Sequence, residues 1–275
     1  MSNAFVDTTV LCNALELSGQ KKATEAKAAL SRYTRTESPV YSLKELRAGP
    51  LSSWILAHNI VAAESTIEDA VARLGKASAF KPRQGSVSSF AIISGLIDAI
   101  HQMNSGSKPA GEPEFDAKLD LENHLAIRIL KAWKKRRTVV TKIVQPLACF
   151  VDGELELVDR QLKFEGGAEC SKRASCGAAL ELKKRSSIVT QLLKSVFPPP
   201  PKGQTSKEKH EKTRRRQALK EVLANAAADF PRKDCRALGD AYFCVMSPDG
   251  SDILTTNFSD FDEMAKELGK PLAAP

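Results

Sequence analysis

The hydrophobic pattern at the front of the chain predicts an α/β fold. Residues 4–11 form a short apolar run that indicates a buried strand, and the Ala-, Lys- and Glu-rich residues 20–33 indicate the helix that follows it. Residues 40–43 favour a second short strand or a turn, and another helix opens at Lys44. A strand–helix–strand–helix order is typical of a parallel sheet covered by helices.

The middle of the chain has a mostly helical pattern. The pattern is helical from about 52 to 104, and further helices are predicted at about 120–137 and 178–196. A charged helix is expected at about 205–227. The stretch 138–164 is instead rich in β-branched residues, and Asp152-Gly153 within it is a strong hairpin turn signal. The middle therefore predicts helices with one β-hairpin among them.

The end of the chain returns to α/β character. A core strand is expected over 253–256 and a final helix over 262–268. The order of elements predicts that residues 1–50 and 230–275 share one sheet, with 51–229 as a mostly helical, basic insertion. The predicted class is α/β: a central parallel sheet flanked by helices, with an insertion that contains a β-hairpin.

Positive charge is concentrated in the middle of the chain. The protein carries a net charge of +8, and residues 131–142 and 202–220 each hold a surplus of six basic residues. Clustered Lys and Arg side chains bind nucleic-acid phosphates without reading base sequence. The candidate nucleic-acid contacts are Lys134, Lys135, Arg136, Arg137, Arg214, Arg215 and Arg216.

Composition favours a folded protein that does not enter a membrane. Hydrophobic residues make up 42% of the chain, which is enough for a core. We find neither a leader pattern nor a run of the roughly 18 apolar residues that a membrane span needs. The six cysteines are scattered, so the expectation is a cytoplasmic protein with reduced thiols.

Several short segments place acids or amides where open α/β sheets bind ligands, at the carboxyl ends of strands or the starts of helices. These segments are residues 6–8, 43–46, 238–241 and 254–261. At these residues the sequence resembles the PIN-domain family, which includes the toxins of many toxin–antitoxin pairs. The resemblance covers the two ends of the chain and leaves its middle unmatched.

Four motifs carry this resemblance, and they follow the family's order. The family pattern opens with a strand ending in Asp before Thr or Ser, which matches Asp7-Thr8. A Glu-Leu pair on an early helix matches Glu45-Leu46, and a third acid matches Gly239-Asp240-Ala241. The last family element, Thr-x-Asp/Asn-x-x-Asp-Phe, matches residues 255–261. The fold that the resemblance implies is a PIN-like sheet.

Two positions leave alternatives open. Asn257 stands where many family members have Asp; its carbonyl oxygen is still a ligand atom, and Asp260 is a replacement. Asp234, six residues before Asp240, is an alternative third acid. Asp240 is favoured because its neighbours are closer to the family context.

The resemblance implies a metal-dependent ribonuclease. Clustered carboxylates oppose one another's ionisation, and Mg²⁺ or Mn²⁺ would relieve this, activate a water and neutralise the scissile phosphate. Asp7, Glu45 and Asp240 are the expected metal ligands. The remaining members of the catalytic set are Asn257 and Asp260, either of which would position a second ion or a water.

Three functions stay open on the sequence alone. The leading hypothesis is an endoribonuclease that acts as a toxin with a separate antitoxin or as a component of a defence system. Its expected partners are RNA or DNA and a second protein, and self-association stays open. The second is a catalytically weak PIN-like scaffold that binds nucleic acid or protein, which Asn257 favours. The third is a helical nucleic-acid-binding protein, which would lack a central parallel sheet.

Overall fold

The computed structural model describes residues 2–79, 117–147, 149–165, 176–199, 207–225 and 232–275. In chain order the elements are β1 (Asn3–Val6), α1 (Thr8–Ala14), α2 (Gln20–Ser31), β2 (Arg35–Pro39), α3 (Val40–Leu46), a π-helical segment (Arg47–Leu51), α4 (Ser52–Ala63), α5 (Ile67–Ala79), α6 (Ala117–Lys135), β3 (Lys142–Val144), β4 (Leu155–Val158), β5 (Gln161–Phe164), α7 (Gly177–Lys184), α8 (Ser186–Ser195), α9 (Lys207–Asn225), α10 (Arg232–Met246), β6 (Ser251–Leu254), α11 (Phe258–Glu267) and β7 (Leu272–Ala273).

Five parallel strands form the central sheet, in the order β3-β2-β1-β6-β7. The strand β1 lies in the middle, buried from Ala4 to Val6, with Phe5 opposite Glu37 of β2 and Ile253 of β6. The chain moves from β1 outward to β2 and β3, then returns to the other side of β1. The switch point between β1 and β6 is where sheets of this kind bind ligands. The α/β class is confirmed, and the hypothesis without a central parallel sheet is excluded.

The second strand lies earlier in the chain than the pattern predicted. Residues 35–39 form β2, whereas residues 40–43 begin α3. The strand was missed because its sequence, RTESP, is polar, although Ser38 is fully buried and its hydroxyl donates to the Val6 carbonyl (2.8 Å). Pro39 ends the strand in an extended conformation, and Gly49-Pro50 does not interrupt the helix, which continues as the π-helical segment.

The predicted hairpin exists, but its turn lies elsewhere. The antiparallel strands β4 and β5 are joined at Asp159-Arg160, where both residues have positive φ (51° and 60°), the backbone that two-residue hairpin turns need. Asp152-Gly153 lies in the loop before β4, where the Asp152 carboxylate accepts from Arg136 (3.0 Å) and Arg137 (2.6 Å). The two arginines tie the aspartate to the end of α6, so it does not form the turn.

The sheet extends into the range assigned to the insertion. Residues 142–144 of that range supply β3, which pairs with β2 and covers its outer edge. Helices α7 to α9 pack into the same hydrophobic cluster as Phe5 and Leu238. The predicted core of 1–50 and 230–275 therefore holds only four of the five strands of the sheet. A second cluster, around the buried Trp54 and Trp133, joins α4, α6 and the hairpin.

Other helices also differ in their bounds from the predicted ones. Residues 178–196 form two helices, α7 and α8, separated at Arg185. The last helix begins at Phe258 rather than 262. The helical pattern over 52–104 corresponds to α4 and α5 as far as residue 79, and the rest of that range lies outside the described residues. Among the helices described, none is long and apolar enough to span a membrane.

Candidate active site

Asp7 lies at the switch point between β1 and β6. Its backbone N–H donates to the carbonyl of Leu254, the last residue of β6 (3.0 Å). The Asp7 carboxylate accepts from the Thr8 N–H (2.7 Å), the Thr9 hydroxyl (2.6 Å) and the Thr255 hydroxyl (2.9 Å). Donors from both sides of the switch point thus hold this carboxylate in one orientation at the start of α1.

Burial of Asp7 conflicts with its negative charge. Burial raises the pKa of the carboxyl above its usual range, and the hydrogen bonds from Thr9, Thr255 and Thr8 lower it without cancelling the effect. A buried carboxylate in this condition is stabilised by a nearby positive charge. The Asp7 position therefore favours a cation as neighbour.

Glu45 reaches the same place from α3, which begins directly after β2. The Thr8 hydroxyl donates to Glu45 Oε2 (2.6 Å), so the residue after Asp7 orients the second acid. Burial and the negative charges of Asp240 and Asp7 together raise the pKa of Glu45 to about 8, against the lowering effect of the Thr8 hydrogen bond. Asp240 and Asp7 therefore both oppose the ionisation of Glu45.

Gly239 allows α10 to approach α3 closely. A Cβ atom at this position would lie 2.6 Å from the Tyr41 hydroxyl oxygen and 3.0 Å from Glu45 Oε1. Real side chains do not tolerate such distances, so any larger residue would push Tyr41 and Glu45 aside. The glycine thus positions Asp240, the next residue of α10, beside Glu45.

Replacing Gly239 by Ala should lower the free energy of unfolding by about 1–3 kcal/mol, because overpacking outweighs the better helix propensity of Ala. Urea denaturation followed by circular dichroism measures this. Gly75 is the matched control, since it also lies in a helix but an added Cβ would meet nothing within 4 Å. Gly75→Ala is expected to stabilise the protein by about 1 kcal/mol; equal effects of the two substitutions would contradict the close approach.

Asp240 is paired with an arginine and acts electrostatically on Glu45. Burial raises the pKa of Asp240 and Arg215 lowers it, and together with the charges of Asp260 and Asp7 these effects bring it to about 7. Arg215 Nη2 lies 2.5 Å from Asp240 Oδ2 and 4.0 Å from Asp260 Oδ1. We call Asp7, Glu45 and Asp240 the acid cluster. One guanidinium from α9 thus supplies positive charge to Asp240, a member of this cluster, and lies near Asp260.

Of the two candidates for the third acid, Asp240 is the one directed at the cluster. Asp234 lies on the same helix, but its carboxylate accepts from Arg214 Nε (3.2 Å). Asp240, and not Asp234, acts on the ionisation of Glu45. The structure therefore brings Asp240 to the other acids and pairs Asp234 with Arg214, and the role of Asp240 as the third acid stays a prediction.

Asn257 and Asp260 are bonded to each other at the start of α11. The Asn257 amide donates to Asp260 Oδ2, and the Ser259 hydroxyl donates to Asn257 Oδ1 (3.1 Å). The Asn257 backbone N–H donates to the Thr255 hydroxyl (3.0 Å), which in turn donates to Asp7. Thr255 thus connects this pair to Asp7, and Arg215 lies between Asp260 of the pair and Asp240.

The three arginines expected to contact nucleic acid on α9 all have partners inside the molecule. Arg215 pairs with Asp240, Arg214 pairs with Asp234, and Arg216 donates to the Phe197 carbonyl (3.1 Å). The structure therefore brings one of them, Arg215, into the acid cluster, which its run of basic neighbours did not indicate.

The basic residues at the end of α6 divide into two kinds. Arg136 is buried, lies over the Trp133 ring (3.9 Å from its guanidinium carbon to the ring centroid) and bonds Asp152. Arg137 also bonds Asp152 but is half exposed. Lys134 and Lys135 are exposed. The lysines are thus presented to solvent, whereas Arg136 fastens the loop before β4.

Arg236 belongs to the site, although sequence reasoning missed it. It is exposed on α10, one helical turn before Asp240, and its charge lowers the pKa of both Glu45 and Asp240. The available signal was the four-residue spacing from Asp240, which places two side chains on the same face of a helix. Arg236 is therefore a positive group at the exposed side of the acid cluster.

The acid cluster fits a divalent cation by the chemistry of its donors. It offers only carboxylate, amide and hydroxyl oxygens, the ligands of Mg²⁺ and Mn²⁺. In the described ranges, however, no three Asp, Glu, His or Cys side chains are close enough to hold a metal ion together. Arg215 holds the carboxylate of Asp240, and threonine donors hold those of Asp7 and Glu45. A cation would need to displace Arg215.

The chain matches no protein-family model, no curated protein and no solved structure at a significant level. The central feature of the site is the meeting of three acids from distant segments at the switch point of a parallel sheet, with two arginines beside them.

Proposed function

We propose that the protein is a PIN-like endoribonuclease that hydrolyses phosphodiester bonds of RNA with Mg²⁺ or Mn²⁺. The observation that carries the proposal is the cluster of Asp7, Glu45 and Asp240 beside the switch point, where each carboxyl has a raised pKa. Such shifts are typical of sites arranged for a charged ligand or for chemistry. The connected strand order β3-β2-β1-β6-β7 is compatible with this type of fold.

Each acid would have a separate task in this proposal. Asp7 is a fixed ligand, because three donors already define its orientation. Glu45 and Asp240 would complete the ligand set, and Asn257 or Asp260 would serve a second position. A bound divalent ion would supply positive charge that polarises the scissile phosphate and lowers the pKa of a water.

The arginines beside the acids support a nucleic-acid substrate. Arg215 would leave Asp240 when a cation takes its place, and its guanidinium would then lie close to an incoming phosphate. Arg236 is already exposed at the same rim. Arginines contact phosphates in bidentate fashion and without base selection, so the proposal predicts cutting that depends weakly on base sequence and strongly on salt.

Cleavage assays with the purified full-length chain test this proposal. Labelled single-stranded RNA should be cut when Mn²⁺ or Mg²⁺ is present, and cutting should stop with EDTA and resume when excess metal is restored. A DNA strand of the same sequence shows whether the substrate is RNA alone. Unchanged cutting in EDTA by protein that contains no residual metal would overturn the proposal.

A second candidate function has one observation in its favour. Because Arg215 occupies the Asp240 carboxylate and no described group of three acids is arranged to hold a metal, the domain would bind nucleic acid or protein without cutting it. The same assay separates the two functions. Binding of RNA with no cleavage at any metal concentration is the outcome that this second function predicts.

A further inference from the structure

Three cysteine thiols and a lysine meet behind the acid site. Lys44, the buried residue before Glu45 on α3, places its Nζ 3.4 Å from Cys235 Sγ and 3.6 Å from Cys149 Sγ. Cys176 Sγ lies 3.9 Å from Cys235 Sγ. We call these three cysteines the thiol cluster. None of them belongs to the PIN-like motifs or to the proposed metal site.

Separate segments of the chain bring the thiol cluster together. Cys176 directly precedes α7, Cys235 lies in the first turns of α10, and Cys149 lies in the loop after β3. Cys176 and Cys235 are buried, and α7 packs against α10 in the main hydrophobic core. The two sulfur atoms are thus held in contact by packed helices rather than by a loose loop.

The buried lysine distinguishes this cluster from ordinary core cysteines. An ammonium group inside a protein is costly unless negative charge or hydrogen-bond acceptors surround it. Thiol sulfur is a weak acceptor, but a thiolate carries a full negative charge that attracts the ammonium of Lys44. The arrangement therefore favours the reactive, ionised form of a neighbouring thiol.

We propose that Cys176 and Cys235 form a redox-active pair, which joins in a reversible disulfide when the protein meets a hydroperoxide. The Cys176 thiolate attacks a peroxide oxygen, the O–O bond breaks, and the departing hydroxide takes up a proton to leave as water. The Cys235 sulfur then attacks the resulting sulfenic sulfur, the S–O bond breaks, and a second water leaves. Two thiols and one hydrogen peroxide become one disulfide and two waters.

The surroundings select Cys176 as the first thiol to react. Its hydrogen bond with Cys235, the Ala179 N–H at the start of α7 and the charge of Lys44 together bring the pKa of Cys176 to about 7, against the opposing effect of burial. The optimum attacking thiol has a pKa near the ambient pH. Burial instead raises the pKa of Cys12 to about 12 and that of Cys244 further, so these two thiols should stay unreactive.

Formation of the disulfide would also shift residues that contact the acid site. The two sulfurs must close from 3.9 Å to about 2.0 Å, so Cys176, Cys235 or both must shift. The Cys235 carbonyl accepts a hydrogen bond from the Tyr41 hydroxyl (3.1 Å). The Tyr41 side chain lies against Gly239, the residue before Asp240. An effect on RNA cleavage rests on the proposed function, whereas the disulfide itself does not.

Peptide mapping of the oxidised full-length chain tests the proposal. Reduced protein is treated with hydrogen peroxide, remaining thiols are alkylated, and digested peptides are identified by mass spectrometry without reduction. A peptide pair linked through Cys176 and Cys235 is expected in the wild type and in the Cys12→Ser control, and dithiothreitol should release it. Cys176→Ser and Cys235→Ser should each lack the linked pair, with folding verified by circular dichroism.

Three outcomes would overturn the proposal. The first is a wild-type chain whose Cys176 and Cys235 stay reduced while other thiols are oxidised, and the second is a disulfide that instead includes Cys149. The third is isolated protein that contains one equivalent of zinc released by a mercurial reagent, since these sulfurs would then be metal ligands. Because mapping needs no substrate, it gives its answer whether or not the chain cleaves RNA.

Discussion

Replacing Asp7 by Asn is expected to slow metal-dependent RNA cleavage on the order of 100-fold or more, the usual cost of removing one preorganised charge-stabilising group from a site. The amide keeps the size of the side chain, and its carbonyl oxygen can still accept from the Thr9 and Thr255 hydroxyls, which donate to Asp7 in the wild type. What is lost is negative charge at the switch point. Initial rates at saturating Mn²⁺, measured with labelled RNA, give the size of the effect.

Asp234→Asn is the matched control for this experiment. Both substitutions neutralise one aspartate, but Asp234 lies on the side of α10 that pairs with Arg214. It should keep cleavage within a few-fold of the wild type, whereas Asp240→Asn on the same helix should behave like Asp7→Asn. Full metal-dependent activity in Asp7→Asn would remove Asp7 from the catalytic set, and an equal loss in Asp234→Asn would show a general effect of charge.

Local sequence was enough to predict the sheet where apolar runs and acids coincide. Residues 4–6 of the predicted strand over 4–11 lie in β1, but the strand ends at Val6. Asp7 caps a helix that the pattern did not predict, so Thr8 to Leu11 belong to α1 and not to the strand. The strand β2 was missed, because its buried positions are occupied by Thr36 and Ser38, whose hydroxyls hydrogen-bond within the fold. A search for alternating hydrophobic residues cannot detect a strand whose buried side chains are Thr and Ser.

The pairing between the arginines and the acids depends on the packing of distant elements, which no local sequence pattern shows. Arg215 was assigned to a basic surface from its neighbours, yet α9 packs against α10 and directs it to Asp240. Arg136 and Arg137 likewise pair with Asp152, a residue that the sequence placed in a hairpin turn. Charge runs identify where basic residues are dense, but the partner of each is set by contacts between elements distant in the chain.

Glu45→Gln is expected to stabilise the fold at alkaline pH while it abolishes the proposed activity. A Glu side chain has a pKa of about 4.3 in an unfolded chain, and burial together with the charge of Asp240 raises the pKa of Glu45 to about 8 in the folded protein. Between these values the folded state holds a proton that the unfolded state lacks. Stability due to this group therefore falls as pH rises through the window, and Gln does not titrate.

The free energy of unfolding from urea titrations at several pH values measures the effect. Without metal, Glu45→Gln should exceed the wild type by about 1–3 kcal/mol at pH 9 and differ little at pH 4. The exposed Glu25 on α2 supplies the control, since Glu25→Gln should show no such pH-dependent gain. Added Mn²⁺ should stabilise the wild type more than Glu45→Gln, because a ligand that binds only the folded state adds to its stability. A Glu45→Gln protein that is less stable than the wild type at pH 9 would contradict this prediction. It would mean that groups already present in the folded protein stabilise the negative charge of Glu45, so that no cation is needed there.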